Sequence, residues 1–183
     1  MNSQSQKLAA LLIVSIYNCL FLPNIALVLQ LDHQVHHFFF NHHHHLLDLI
    51  MNTFSFIGSS YGFVFFLCIY LSLFVKNSAN IRTAIMGMAI FALLKLGNYW
   101  LKLLFARPRP ETALGIHDTY SMPSGHAANA ALMFGTIIIL VIKSQLSPVS
   151  KSIIYLISFT CMMGIASSSL YLGVHYLSDV IMG

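Results

Sequence analysis

TAIMGMAIFALLKLGNYWLKLLF, residues 83–105, decides the fold class. About 20 consecutive apolar residues cross the hydrocarbon core of a bilayer, and this run reaches that length with only Lys95 and Lys102 charged. Outward from it, four more windows of the same kind lie at residues 8–30, 54–75, 125–142 and 153–172, and a sixth begins near Leu177 and stops at Gly183. Across the chain 57% of residues are hydrophobic and 8% charged; a soluble domain averages about 25% charged, so the bilayer is the natural solvent. The expectation is a single domain over residues 1–183. Its fold class is all-α: a polytopic transmembrane bundle of five full helices and the start of a sixth, reading as truncated in that last helix. The first window has no short apolar stretch with a small-residue cleavage site, so it reads as a retained helix, with Asn18 and Pro23 marking a kink or a packed face.

The basic residues stand at the ends of apolar runs, which is a topology signal rather than a nucleic-acid footprint. With alternating helices, Lys7, Lys76, Arg82, Lys143 and Lys151 fall on one side, cytoplasmic by the positive-inside rule. All five acids, Asp32, Asp48, Glu111, Asp118 and Asp179, fall toward the other side. Cys19, Cys68 and Cys161 sit in separate apolar runs without metal spacing and read as small buried hydrophobes. The segment from Asp32 to Phe54 reads as a short amphipathic helix lying in the interface. Its run His42–His45 reads as solvated interface rather than a metal site, because consecutive residues point around a helix and ligands need one face.

Three polar clusters reach the same outward face: Lys102 to Pro110, Pro123-Ser124-Gly125-His126, and Ser168 to Asp179. Lys102 and Arg109 are cations with directed donors, and Arg suits bidentate capture of phosphate oxygens. Arg107 is a third cation nearby. Ser124 and Gly125 open a helix, where free N–H groups cradle an anion and glycine lets the backbone come close. His175 and Asp179 share a helix face at i, i+4, so the carboxylate can hold one ring nitrogen and leave the other as a nucleophile. His126, beside the cradle, can protonate a leaving oxygen. Together they describe phosphoryl transfer through a phosphohistidine with no metal or cofactor, since that chemistry needs mainly positioning and charge stabilisation. A structural bundle or channel gives no reason for the clusters to converge. Lys95 either snorkels or pairs within the bundle, and carries no catalytic assignment.

These residues resemble the type 2 phosphatidic acid phosphatase superfamily, whose signature is K-x6-RP, PSGH and SR-x5-H-x3-D. Lys102, Arg109 and Pro110 match the first part, Pro123 to His126 the second, and Ser168, His175 and Asp179 the third. The resemblance implies a six-helix membrane bundle, His175 as nucleophile, Asp179 as its orienting partner, His126 as general acid, and Lys102, Arg109, Ser124 and Gly125 as phosphate ligands. It implies a metal-free phosphatase of lipid phosphates or diphosphates in the phosphatidic acid, phosphatidylglycerol phosphate, undecaprenyl diphosphate or lipid A class. It further implies a lipid substrate and a site at the outer face, while compact length and a lone transmembrane domain point to a bacterial inner membrane and the charge distribution to no nucleic acid partner. Position 169 departs from the pattern, with serine where the signature has arginine. Losing such a charge-assisted contact removes roughly 2–4 kcal/mol of transition-state stabilisation, about a hundredfold or more in rate. The competing reading is therefore a catalytically disabled phosphate- or lipid-binding membrane protein.

Overall fold

A computed structural model describes residues 25–75, 81–111 and 119–183. Most of the first apolar window, with Asn18, Cys19 and Pro23, lies outside them, as do Lys7, Lys76, His117 and Asp118. The described residues form seven helices: α1 (Ile25–Phe40), α2 (His45–Gly58), α3 (Ser60–Val75), α4 (Ile81–Phe105), α5 (Gly125–Ile142), α6 (Pro148–Tyr171) and α7 (Leu177–Met182). Three are long and apolar enough to span a bilayer: Ala84–Phe105, Gly125–Ile142 and Pro148–Tyr171. The chain is an all-helical integral membrane protein.

Local chemistry sets the boundaries that aim the polar clusters. Ser124 caps α5, its hydroxyl accepting from the Ala127 N–H at 3.3 Å, and Ser147 caps α6 ahead of Pro148 in the first turn, where a missing N–H costs nothing. At the far end of α4, Ala106 takes φ 45°, a left-handed residue that stops the helix. It turns the chain into extended Arg107-Pro108-Arg109-Pro110, both arginines held out of the helical region by the proline that follows. Gly173, at φ 65°, does the same after α6. The N–H groups of Val174 and His175 then fold back onto the Ser169 carbonyl at 3.2 and 3.3 Å.

Two expectations for the segment before α4 are corrected. The window at residues 54–75 is not one straight span: α2 and α3 meet at Ser59 with a 54° bend. Gly58 sits at this elbow because a Cβ there would lie 2.4 Å from Ile165 Cγ2 and 3.2 Å from His126 Cδ2. Asp32 to Phe54 is not one interfacial helix either. Its first part, through the His36-His37 pair, belongs to α1, which packs on α6 and α7, and its last part to α2, which packs on α6. The intervening imidazoles His42–His45 are exposed. His42 Nδ1 contacts the Phe38 carbonyl at 2.6 Å, and His43 Nδ1 lies 3.1 Å from Asp48.

Helices α5 and α6 pack most extensively on each other. The buried core joins Phe63 and Tyr70 of α3, Phe91 of α4, Ala130 and Met133 of α5, and Ile165 of α6. The outer surfaces of α3, α4 and α6 carry exposed large apolar residues such as Phe65, Leu93, Trp100 and Leu156. For the same reason Cys68 is exposed rather than buried as expected: on a lipid-facing surface the acyl chains take the place of a core.

Candidate active site

A cavity of about 590 Å³ opens where α4 ends and α5 begins. One face of α4 supplies Lys95, Asn98, Tyr99 and Lys102, at the i, i+3, i+4, i+7 spacing that puts side chains in one stripe. Gly125, His126 and Asn129 enter from α5, Arg109 and Thr119 from the preceding loop, and Leu172, Val174 and His175 from the end of α6. Lys102, Arg109, His126 and His175, far apart in sequence, thus face one space.

The cations are held by neutral acceptors. Lys102 is buried and its Nζ donates to the carbonyls of Tyr120 (2.7 Å) and Ser121 (3.3 Å). Arg109 donates through Nε to the Thr119 carbonyl (2.9 Å), through Nη2 to Thr119 Oγ1 (3.1 Å), and through Nη1 to the Val174 carbonyl (3.0 Å). No carboxylate among the described residues lines the cavity, so its positive charge is left for an incoming anion. Gly125 lines it; Ser124 lies one residue outside, fully buried, its N–H donating to the Asp179 carbonyl at 2.8 Å.

His175 is buried between this cavity and Asp179. Its Nε2 lies 3.5 Å from Arg109 Nη1, while Nδ1 lies 3.6 Å from Asp179 Oδ2. The second distance is an ion-pair separation, longer than a hydrogen bond, and Nδ1 is a buried atom without a hydrogen-bond partner among the described residues. Burial, reinforced by the charges of Arg109 and Lys102, holds the His175 imidazole below its ordinary value; the neighbouring Asp179 carboxylate only partly opposes this. The ring is therefore neutral at pH 7, the form with a free nitrogen lone pair.

Arg107, left open as a phosphate ligand by its sequence, turns the opposite way. Its Nη1 donates to Asp179 Oδ1 and Ser178 Oγ, both at 2.6 Å, its Nη2 donates to Asp32 Oδ2 at 2.7 Å, and its plane lies 4.2 Å from the Tyr176 ring centre. Asp32, on α1, is buried and also accepts from the Ser178 N–H and hydroxyl at 2.9 and 2.7 Å. Asp179 closes the set by accepting from the Tyr176 N–H at 2.9 Å. This carboxylate–guanidinium lattice fixes the backing of His175. Sequence reasoning missed Asp32, whose sole signal was a lone acid at the end of an apolar run.

Ser169 is buried and its hydroxyl faces the Ile165 carbonyl at 3.4 Å, away from the cavity. Lys95 and Asn129 are further cavity residues outside the motif. Lys95 Nζ donates to Asn129 Oδ1 at 2.9 Å, and Asn129 Nδ2 donates to the Gly58 carbonyl at 2.8 Å.

The family model of the PAP2 superfamily matches residues 81–183, the stretch that carries every cavity cation and both histidines. The chain belongs to the PAP2 superfamily. Phosphatidylglycerophosphatase B of Bacillus subtilis (strain 168) is 33% identical over 98 residues, covering 52% of this chain and 48% of the relative. The match thus spans about half the length of that protein. Among solved structures, the transmembrane PAP2 type phosphatidylglycerolphosphate phosphatase from Bacillus subtilis superposes with a TM-score of 0.77 at 24% identity, covering 95% of this chain and 86% of that one. Aquifex aeolicus LpxE superposes with a TM-score of 0.54 at 27% identity, covering 85% and 86%.

Proposed function

We propose that this PAP2 protein is a phosphatase of membrane lipid phosphates or diphosphates, working through a phosphohistidine on His175. The observation that carries the reading is the placement of the two His175 nitrogens, Nε2 beside Arg109 in the cation-lined cavity and Nδ1 toward buried Asp179. With the proton on Nδ1, the Nε2 lone pair attacks phosphorus and forms the P–N bond. The P–O bond to the lipid breaks, and a proton from His126 passes to the leaving oxygen. Water then attacks the phosphohistidine and yields its proton to His126, restoring His175 and releasing phosphate. Lys102, Arg109 and the Gly125 N–H neutralise the equatorial oxygens as charge spreads over them. Asp179, held by Arg107 and the Tyr176 N–H, orients the nucleophile and stabilises its cationic form. The lysine and arginine charge takes the place a metal would otherwise fill, so turnover is expected to resist chelators.

Arg82, Lys143 and Lys151 lie at the helix ends away from the cavity, which supports a site on the outer side of a bacterial inner membrane. A second reading, a disabled phosphate-binding protein, draws on buried Ser169 in place of arginine. The deciding experiment is phosphate release by the detergent-solubilised protein from a panel of isoprenoid, glycerophospholipid and lipid A phosphates. His175→Ala is expected to abolish release. Equal release by the variant removes His175 as nucleophile, and no release by the parent from any lipid favours the binding reading.

A further inference from the structure

The phosphate site uses only the outer part of the cavity. Lys95 stands two helical turns before Lys102 on the same face of α4, about 10 Å deeper along the axis at 1.5 Å per residue. Asn129, its hydrogen-bond partner, lies three residues beyond His126 on α5, and so one turn deeper than the proposed acid. The Gly58 carbonyl takes the Asn129 amide protons, which points the amide oxygen at Lys95. Asn98 lines the cavity from α4 one turn outward of Lys95, and Asn52 and Ser55 line it from α2. An ammonium group at this depth is costly unless it meets negative charge. Its visible neighbours are neutral, an amide oxygen and the Phe63 ring at 5.2 Å from Nζ, and no carboxylate among the described residues lines the cavity.

Resting on the phosphatase reading above, we propose that Lys95, Asn98 and Asn129 form a second anion subsite, on the leaving-group side of His126, that takes a second phosphoryl group of the substrate. The terminal phosphoryl sits at Lys102, Arg109 and His175. His126 protonates the oxygen that leaves, and whatever is attached to that oxygen extends inward, toward the lipid tails. For a lipid with a single phosphate this is an acylated glycerol, which has no use for an ammonium ion. For a prenyl diphosphate it is the adjoining phosphoryl group, and for phosphatidylglycerophosphate a phosphodiester one glycerol away. Both give Lys95 a counter-charge, which no carboxylate among the described cavity residues supplies.

The experiment compares kcat/KM for a prenyl diphosphate, phosphatidylglycerophosphate and phosphatidic acid in the parent, Lys95→Met and Lys95→Arg. The parent is expected to favour at least one two-phosphate lipid over phosphatidic acid by at least about tenfold, the value of a charge-assisted contact. Lys95→Met is expected to bring that ratio near one, and Lys95→Arg to keep most of it. Whichever two-phosphate lipid loses the larger factor identifies whether the phosphoryl groups adjoin or are spaced. A Lys95→Met variant that lowers all three lipids equally, or leaves the ratio unchanged, overturns the subsite. A binding measurement stands apart from turnover and from the folding of any variant: protection of the parent against thermal unfolding by methylenediphosphonate and by methylphosphonate. If the phosphoryl groups adjoin, the diphosphonate is expected to protect at a concentration at least about tenfold lower; equal protection rules out the adjoining arrangement, and equal protection together with no preference for phosphatidylglycerophosphate over phosphatidic acid overturns the proposal. Loss of release from every lipid, with diphosphonate protection intact, counts against the catalytic reading and leaves the subsite standing.

Discussion

Beneath the cavity floor, Phe63 and Tyr70 meet Phe91 edge to face, at centroid separations of 6.0 and 5.4 Å, and pack with Ala130, Met133 and Ile165. Above the floor the buried polar side chains include Asp32, Lys102, Ser124, His175, Ser178 and Asp179. The lower layer is joined by shape: lipid tails are as apolar as phenylalanine, so only close packing distinguishes a helix neighbour from an acyl chain. The upper layer is joined by charge, and each member is costly alone. Tolerance to substitution should therefore differ between them. The lower layer should yield gradually with volume and leave chemistry intact, whereas the upper should fail at single atoms and take the chemistry with it.

The largest effect is expected from Arg107→Ala. It strands two buried carboxylates, Asp32 and Asp179, and breaking a buried pair by removing one partner costs about 3–5 kcal/mol. Thermal unfolding in detergent should show that loss together with collapse of phosphate release. Lys in its place should recover little, because it cannot span both carboxylates in the same planar fork. A variant as stable and active as the parent would erase the contrast between the layers. Phe91→Ala should cost about 3 kcal/mol, the low end for such truncations because lipid replaces part of the lost contact. Its kcat/KM should remain within about threefold of the parent, as expected for a site away from the reacting groups. A large drop in its activity would show that the aromatic layer positions the cavity.

Acid separates the layers without mutation. Neutral His175 is the attacking form, and burial lowers its proton affinity. The acid limb of log kcat/KM should therefore lie below about pH 6.5, the ordinary imidazole value. Below that limb, activity should fall about tenfold per pH unit while helical content by circular dichroism stays constant. A limb above that value would mean that the ring is held protonated. The smallest effect is at the hinge of the upper layer. Ala106→Gly should stabilise by about 0.5–1 kcal/mol, because a left-handed residue with a Cβ is strained and glycine is not.

The same contrast explains what could be read from the chain alone. Lys102, Arg109, the Pro123 to His126 turn, His175 and Asp179 announced themselves because each interrupts or ends an apolar run, and alternation of helices delivers such ends to one membrane face. Hydropathy also located α4, α5 and α6. It was silent on the α2–α3 elbow, since Gly58-Ser59-Ser60 lies inside a run that stays apolar on average, and the close approach of Ile165 and His126 to that glycine is a tertiary contact no local pattern shows. Pairings at long range were equally hidden. Asp32 meets Arg107 across 75 positions, and Lys95 meets Asn129 across 34, separations at which no local pattern names a partner.

Arg107 and Arg109 flank one proline and point in opposite directions, the first into the carboxylates and the second into the cavity. Their roles are thus assigned by parity, not by side-chain chemistry, which is identical. Removing Pro108, or slipping a single residue in beside it, would change which arginine arrives at which address and leave a guanidinium facing lipid or an aspartate facing nothing. What heredity must conserve in this tetrapeptide is a count, and a ruler one residue off would misplace both arginines together.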